Sequence, residues 1–318
     1  MGCLMSARSR FTSHSQGVFH MQRFASSFGL GCFVILMSMG ADCSRARVES
    51  INKMNEGVTA AVQKRYLDAT KLLEAAAVVD PQNDQVFWNL ALVHMELHKY
   101  DRARDDLNKA IAINPQSGGY QEKLGTILME LKDWNGAKQA MEKAISLEPE
   151  LFKAYYKLAQ INEQLDDQQS ALKNYTAAIE KGPRFLEAYN ALGRLYADLN
   201  YLDQSSQVLQ EALKVALPGT EEEAQAHHLL GTVLQQQKKF DQAVAEFKAA
   251  LAVVPTMRDA LFSLGWTYHL QGNKDEAKRY LQKFVDVAGA EAPAHYVKAA
   301  RDKIAEMAEG FATSAASQ

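Results

Sequence analysis

The sequence predicts an all-α fold, an α-solenoid of about seven helical hairpins closed by one further helix, and three regularities predict it. Pro81, Pro115, Pro149 and Pro183 recur every 34 residues. With each proline taken as position 32 of its segment, position 8 reads Gly57, Ala91, Gly125, Ala159, Gly193, Gly231 and Gly265. All seven are small. Position 24 is bulky throughout, as Leu73, Leu107, Met141, Tyr175, Leu209, Phe247 and Leu281.

These spacings are helical. Positions 4, 7, 8 and 11 form one stripe and positions 20, 24 and 27 a second, as two amphipathic helices per segment require. Small residues at 8 and at 20, where Ala recurs except for Ser205, let the two helices of a hairpin approach closely. Ala at 27 admits the next hairpin, with Phe284 the one exception. Proline at 32 lacks an N–H and disfavours helix before it, so each second helix ends there.

Taken in chain order, residues 1–42 read as a targeting segment. From Met21, the expected start, Arg23 precedes an apolar run from Phe28 to Met39 and then Gly40, Ala41 and Cys43. That is a secretory signal pattern. The run is shorter than the roughly 20 residues of a membrane span. Cys43 resembles the lipid-modified cysteine of bacterial lipoproteins, with residues 43–49 as a polar linker. Cleavage near Gly40 or Ala41 by the ordinary signal peptidase is the alternative. A rival signal, Met1-Gly2-Cys3 with Ser6, fits acylation of Gly2 in a eukaryotic cytosolic protein.

Residues 50–289 hold the repeats. The first departs from the pattern at Lys53 and Glu56, as an end repeat without an upstream neighbour can. At 218–223 the connection lengthens, which predicts a bend; Thr220 and Glu223 form a capping box, with Glu221 and Glu222 in the first turn. Residues 290–309 make a closing helix opened by Pro293, with Val297, Ala300, Ile304 and Met307 on one stripe. The tail 310–318 is small and polar and reads as disordered.

The segments starting at Asp84, Gly118, Phe152, Leu186, Ala224 and Arg258 resemble tetratricopeptide repeats, whose period and small-residue pattern they share. The resemblance implies a right-handed solenoid that binds a protein or peptide in its concave groove. It also implies that positions 2, 5, 9, 12 and 13 of each first helix line that groove. Carried over, the candidate partner-binding residues are Trp88, Met95, Tyr156, Asn190, Arg194, His228, Phe262, Trp266 and His269. Aromatics at such places anchor peptides. Asn190 is placed to bond an extended backbone and Arg194 to meet a carboxylate.

Composition narrows the function. The chain has 35 basic against 38 acidic residues, a net charge of −3, whereas a nonspecific nucleic-acid binder is usually basic. Cys3, Cys32 and Cys43 all precede the repeats, so the repeats hold no disulfide. No phosphate loop, cofactor motif or catalytic constellation is present. His94 and His98 stand one helical turn apart, but as His-x-Glu-x-His and without a third ligand. The expected function is therefore a non-enzymatic scaffold of the bacterial cell envelope, similar in plan to the pilotin lipoproteins that help pilus secretins assemble in the outer membrane. The alternative is a cytosolic adaptor or co-chaperone acylated at Gly2.

Overall fold

A computed structural model describes residues 29–289 and 293–315, with side chains for 45–289 and 293–307. Gly2, Met21 and the start of the targeting segment lie outside the described residues, as does the side chain of Cys43. Among the described residues there are 15 helices and no strand. Seven hairpins follow one another: α1 (Gly29–Val62) with α2 (Tyr66–Val79), α3 (Asp84–Glu96) with α4 (Tyr100–Ile113), α5 (Gly118–Glu130) with α6 (Trp134–Leu147), and α7 (Phe152–Gln164) with α8 (Gln168–Lys181). Then come α9 (Leu186–Asp198) with α10 (Leu202–Val215), α11 (Glu221–Gln236) with α12 (Phe240–Val253), and α13 (Arg258–Leu270) with α14 (Lys274–Ala288). The closing helix is α15 (Ala294–Ala315). Each helix packs on its hairpin partner and on the next hairpin.

Two boundaries differ from the sequence reading. Residues 43–49, expected as a linker, are helical and continue into the first repeat as part of α1, because nothing in Ser44 to Glu49 breaks a helix. The closing helix runs to Ala315, into the stretch expected to be disordered, since Phe311, Ala312 and Ala315 are no worse for helix than for coil. Among the described residues no helix is long and apolar enough to cross a membrane.

The hairpins close through a steric match. A Cβ built on Gly57, Gly125, Gly193, Gly231 or Gly265 would lie within 2.8 Å of the position-24 side chain of the same hairpin; at Gly231 it would be 2.7 Å from Phe247 Cε1. Position 24 is fully buried as a result, with Leu73, Leu107, Met141, Tyr175, Leu209, Phe247 and Leu281 all at 0% exposure. Ser205, the polar exception at position 20, donates its hydroxyl to the Gly193 carbonyl at 2.6 Å. Phe284 stands where the next neighbour is α15, and packs edge-on against Phe262 at 5.2 Å.

The turn between the two helices also repeats. Lys64, His98, Lys132, Asp166, Asn200, Lys238 and Gly272 have φ between 55° and 79°, and all occupy position 15. This left-handed residue ends the first helix: in the second hairpin, for example, the Lys99 N–H donates to the His94 carbonyl at 2.8 Å. Only Gly272 has the residue that adopts this conformation without strain.

The lengthened connection is absorbed locally. Ala216 is extended and Gly219 takes φ 82°, and three added residues, Glu221 to Glu223, wind an extra turn onto the head of α11. Thr220 caps it, accepting the Glu223 N–H at 3.3 Å, while the Glu223 carboxylate accepts the Gly219 N–H at 2.6 Å. Helix α11 then runs against α9 along more of its length than other successive first helices do.

Two substitutions separate sterics from backbone conformation. Gly231→Ala should lower stability by about 1–3 kcal/mol through overpacking against Phe247. Gly272→Ala, whose Cβ would meet nothing within 4 Å, should lose only about 1 kcal/mol from its backbone. Urea unfolding followed by circular dichroism measures both.

Candidate functional site

The inner face is formed by the first helices of successive hairpins, and position 5 of each proves to be a joint. Trp88 stacks on Tyr120 of α5, with ring centroids 5.0 Å apart. Tyr120 is itself fixed, donating to Asp84 at 3.0 Å, and burial together with that bond pushes its hydroxyl pKa up. Glu122 pairs with Lys157 of α7. Tyr156 meets Phe185, at the head of α9, edge-on at 5.0 Å. Asn190 donates its Nδ2 to the Glu222 carbonyl of α11 at 3.1 Å. His228 reaches Ser263 of α13 at 3.4 Å, and Phe262 packs edge-on against Tyr296 of α15 at 5.0 Å.

This corrects the reading of five candidates. Trp88, Tyr156, Asn190, His228 and Phe262 each touch the next hairpin or the closing helix, so none is a freely projecting anchor, although Tyr156 and Asn190 also border a cleft. The reason is geometric: position 5 lies where one first helix meets the next, so its side chain fills that contact. Trp88 and Tyr156 remain half-buried rather than enclosed.

The ends of the inner face are also partly covered. Met95 is half-buried and packs into the core of the first hairpins. Trp266 lies against Phe262 at 5.9 Å and against His269 at 5.6 Å, and the Lys303 ammonium of α15 sits 5.8 Å over its ring. His269 is half-buried beside it. The aromatic cluster expected to grip a partner is thus roofed by the chain's own closing helix.

His94 and His98 do not converge. His94 Nδ1 bonds Asp106 at 2.8 Å in the core, while His98 is the left-handed turn residue and bonds Tyr100. His228 is deeply placed beside Phe247, and burial pushes its pKa below the usual histidine value, with Asp259 opposing.

The middle of the face is open. A cleft of about 400 Å³ lies between α7, α9 and α11, lined by Tyr156, Gln160, Glu187, Asn190, Arg194, Glu221, Glu222 and Gln225 among others. Arg194, expected to receive a carboxylate, is already held by two: Glu163 at 2.7 Å and Asp198 at 3.1 Å. That is the second correction. Glu163 also accepts from the Tyr175 hydroxyl, so it is fixed from both sides. Glu187 stands close enough to Tyr156 that its charge, after burial, helps raise the phenol pKa. Asn190 is 8% exposed, and its Oδ1 has no hydrogen-bond partner. In the sequence Glu187 is a position-2 lining residue, whereas the triplet from Glu221 reads as a helix start; the gathering of these acids around Asn190 depends on the extra turn of α11.

Two outcomes test this assignment. Phe262→Ala should loosen α15, and amide exchange over 294–307 should quicken while exchange in α3 to α7 stays unchanged. His228 is held neutral by the fold, so stability is complete above its unfolded pKa of 6.5 and falls as pH drops below it, where the unfolded chain takes the proton first. His228→Gln should flatten the loss of thermal midpoint between about pH 7.5 and 5.5.

No curated protein matches the chain in sequence. Solved structures share the fold: the C-terminal part of a TPR repeat-containing protein from Cytophaga hutchinsonii aligns over 79% of this chain and 99% of its own, at 15% identity and TM-score 0.62. Pseudomonas aeruginosa pilF aligns over 68% of this chain and 96% of its own, at 16% identity and TM-score 0.56. A tetratricopeptide repeat protein from Parabacteroides merdae aligns over 81% and 98%, at 13% identity and TM-score 0.57. At such identities the likeness is one of fold. Family profiles described as tetratricopeptide repeat match residues 85–117, 122–183, 186–217 and 222–289. Together they cover six of the seven stacked hairpins, and the chain belongs to the tetratricopeptide-repeat family.

Proposed function

We propose that this chain is a scaffold of a bacterial cell envelope that holds a segment of a partner protein on its inner face and carries out no chemistry itself. A tetratricopeptide fold suits protein–protein interaction. The observation that carries the reading is the cleft between α7, α9 and α11, where the exposed carboxylates of Glu187, Glu221 and Glu222 line open surface. A second cleft, of about 350 Å³ and lined mainly by apolar groups such as Val58, Val62 and Leu92, lies between α1, α2 and α3, while at the far end α15 covers the surface. Because the groups bordering the cleft sit on the first helices of three successive hairpins, a bound segment meets a preformed site and loses little affinity to rearrangement.

Export and anchoring rest on the segment from Met21 to Cys43, with Cys43 acylated and the repeats facing the periplasm from the outer membrane. A pilotin-like role in assembling a pilus or secretion complex is the finer form of this proposal, supported by the shared plan of signal, cysteine and repeats.

Labelling with radioactive palmitate in a bacterial host tests the anchor. Label should enter the processed chain that begins at Cys43, vanish in Cys43→Ala and persist in Gly2→Ala; no label there, with myristate incorporated in a eukaryotic host and lost in Gly2→Ala, would favour the cytosolic adaptor. A photo-crosslinking residue at Gln225, inside the cleft, should capture a defined partner from intact envelopes, whereas one at exposed Val78 on α2 should not.

A further inference from the structure

From the charge and hydrogen-bonding groups of the cleft between α7, α9 and α11, we infer that its occupant is a basic segment, a stretch of polypeptide bearing lysine or arginine. The inference rests on the reading of the chain as a scaffold and adds the chemistry of its partner. Five carboxylates border the cleft or its single guanidinium: Glu187, Glu221 and Glu222 on the lining, and Glu163 and Asp198 on Arg194. Arg194 is therefore neutralised from within, and among the described residues Glu187, Glu221 and Glu222 make no ion pair. All three are exposed. Helix capping does not use up these acids, because Glu223 takes the capping role through the Gly219 N–H.

Asn190 supplies the independent observation. It lines the cleft, is 8% exposed, and spends its amide N–H on the Glu222 carbonyl, which leaves Oδ1 without a donor. A buried amide oxygen left unpaired is costly, and a donor brought by a ligand removes that cost. The unpaired charges on the lining are thus all negative, while its neutral groups, Gln160, Gln225 and Tyr156, can donate as well as accept. An acidic segment would meet repulsion from the acids and find no free cation on the lining. A cationic side chain, or a backbone N–H flanked by cations, meets both demands.

The experiment selects twelve-residue peptides from a random displayed library on the full-length chain and then measures their affinities. Enriched peptides should carry net positive charge and lose at least tenfold in affinity against the triple variant Glu187→Gln, Glu221→Gln, Glu222→Gln. Binding should also weaken steeply with salt, as the screening length shrinks from about 8 Å at physiological ionic strength to about 3 Å at 1 M. The three glutamates are exposed and Glu223 is untouched, so an unchanged circular dichroism melt verifies that the variant folds. Neutral or acidic winners, or basic winners indifferent to the triple variant, would overturn the basic-segment inference while leaving a peptide-binding scaffold standing. A selection that enriches nothing would overturn both.

Discussion

An absent or minimal side chain at position 8 governs how closely the two helices of each hairpin approach, and the rest of the structure follows from that distance. With the Cβ removed from Gly57, Gly125, Gly193, Gly231 and Gly265, a large residue at position 24 can lie directly across the facing backbone. The pairing is complementary rather than merely apolar. It turns one short helix, marginal alone in water, into half of a unit with a dry interior. Because the match lies within each hairpin, each repeat can assemble from neighbours in sequence, and stacking then adds an interface per repeat.

The joint at position 5 determines what the inner face can offer. Its chemistry varies along the chain, from stacked Trp88 to the ion pair of Glu122, edge-on Tyr156, the amide of Asn190, His228 and Phe262. Five of the six contacts are made side chain to side chain. Asn190 instead bonds a backbone carbonyl through one half of its amide, and its Oδ1, like the Nδ1 of His228, has no partner.

That exception has a cause in the backbone. The connection after α10 carries extra residues, which wind onto α11 as an added turn and bring the Glu222 carbonyl over Asn190. The same turn carries Glu221 and Glu222 to the rim of the cleft. A change in loop length has therefore shaped a local cleft without altering the hairpin itself. At the other end, α15 shields Phe262 and the adjacent Trp266, trading a binding surface for closure of the last repeat.

The sequence by itself determined the repeat, because a steric rule renewed every 34 residues leaves its mark on composition at fixed positions. Helix starts at Asp84, Gly118, Phe152, Leu186 and Arg258 fell where the period put them. The cap of α11 at Thr220 was legible from its local Thr-x-x-Glu pattern, outside the period. The turn residue at position 15 leaves a weaker mark: Gly272, Asn200 and Asp166 are types that favour the left-handed conformation, but three lysines and His98 hold it through the surrounding bonds. What only the tertiary structure decided was which side chains are spent: whether Trp88 and Phe262 face a partner or the next helix, and whether Arg194 reaches Glu163 of the preceding repeat. These are contacts between residues about thirty positions apart, set by how one hairpin is rotated on another, and no spacing within a single helix encodes that rotation.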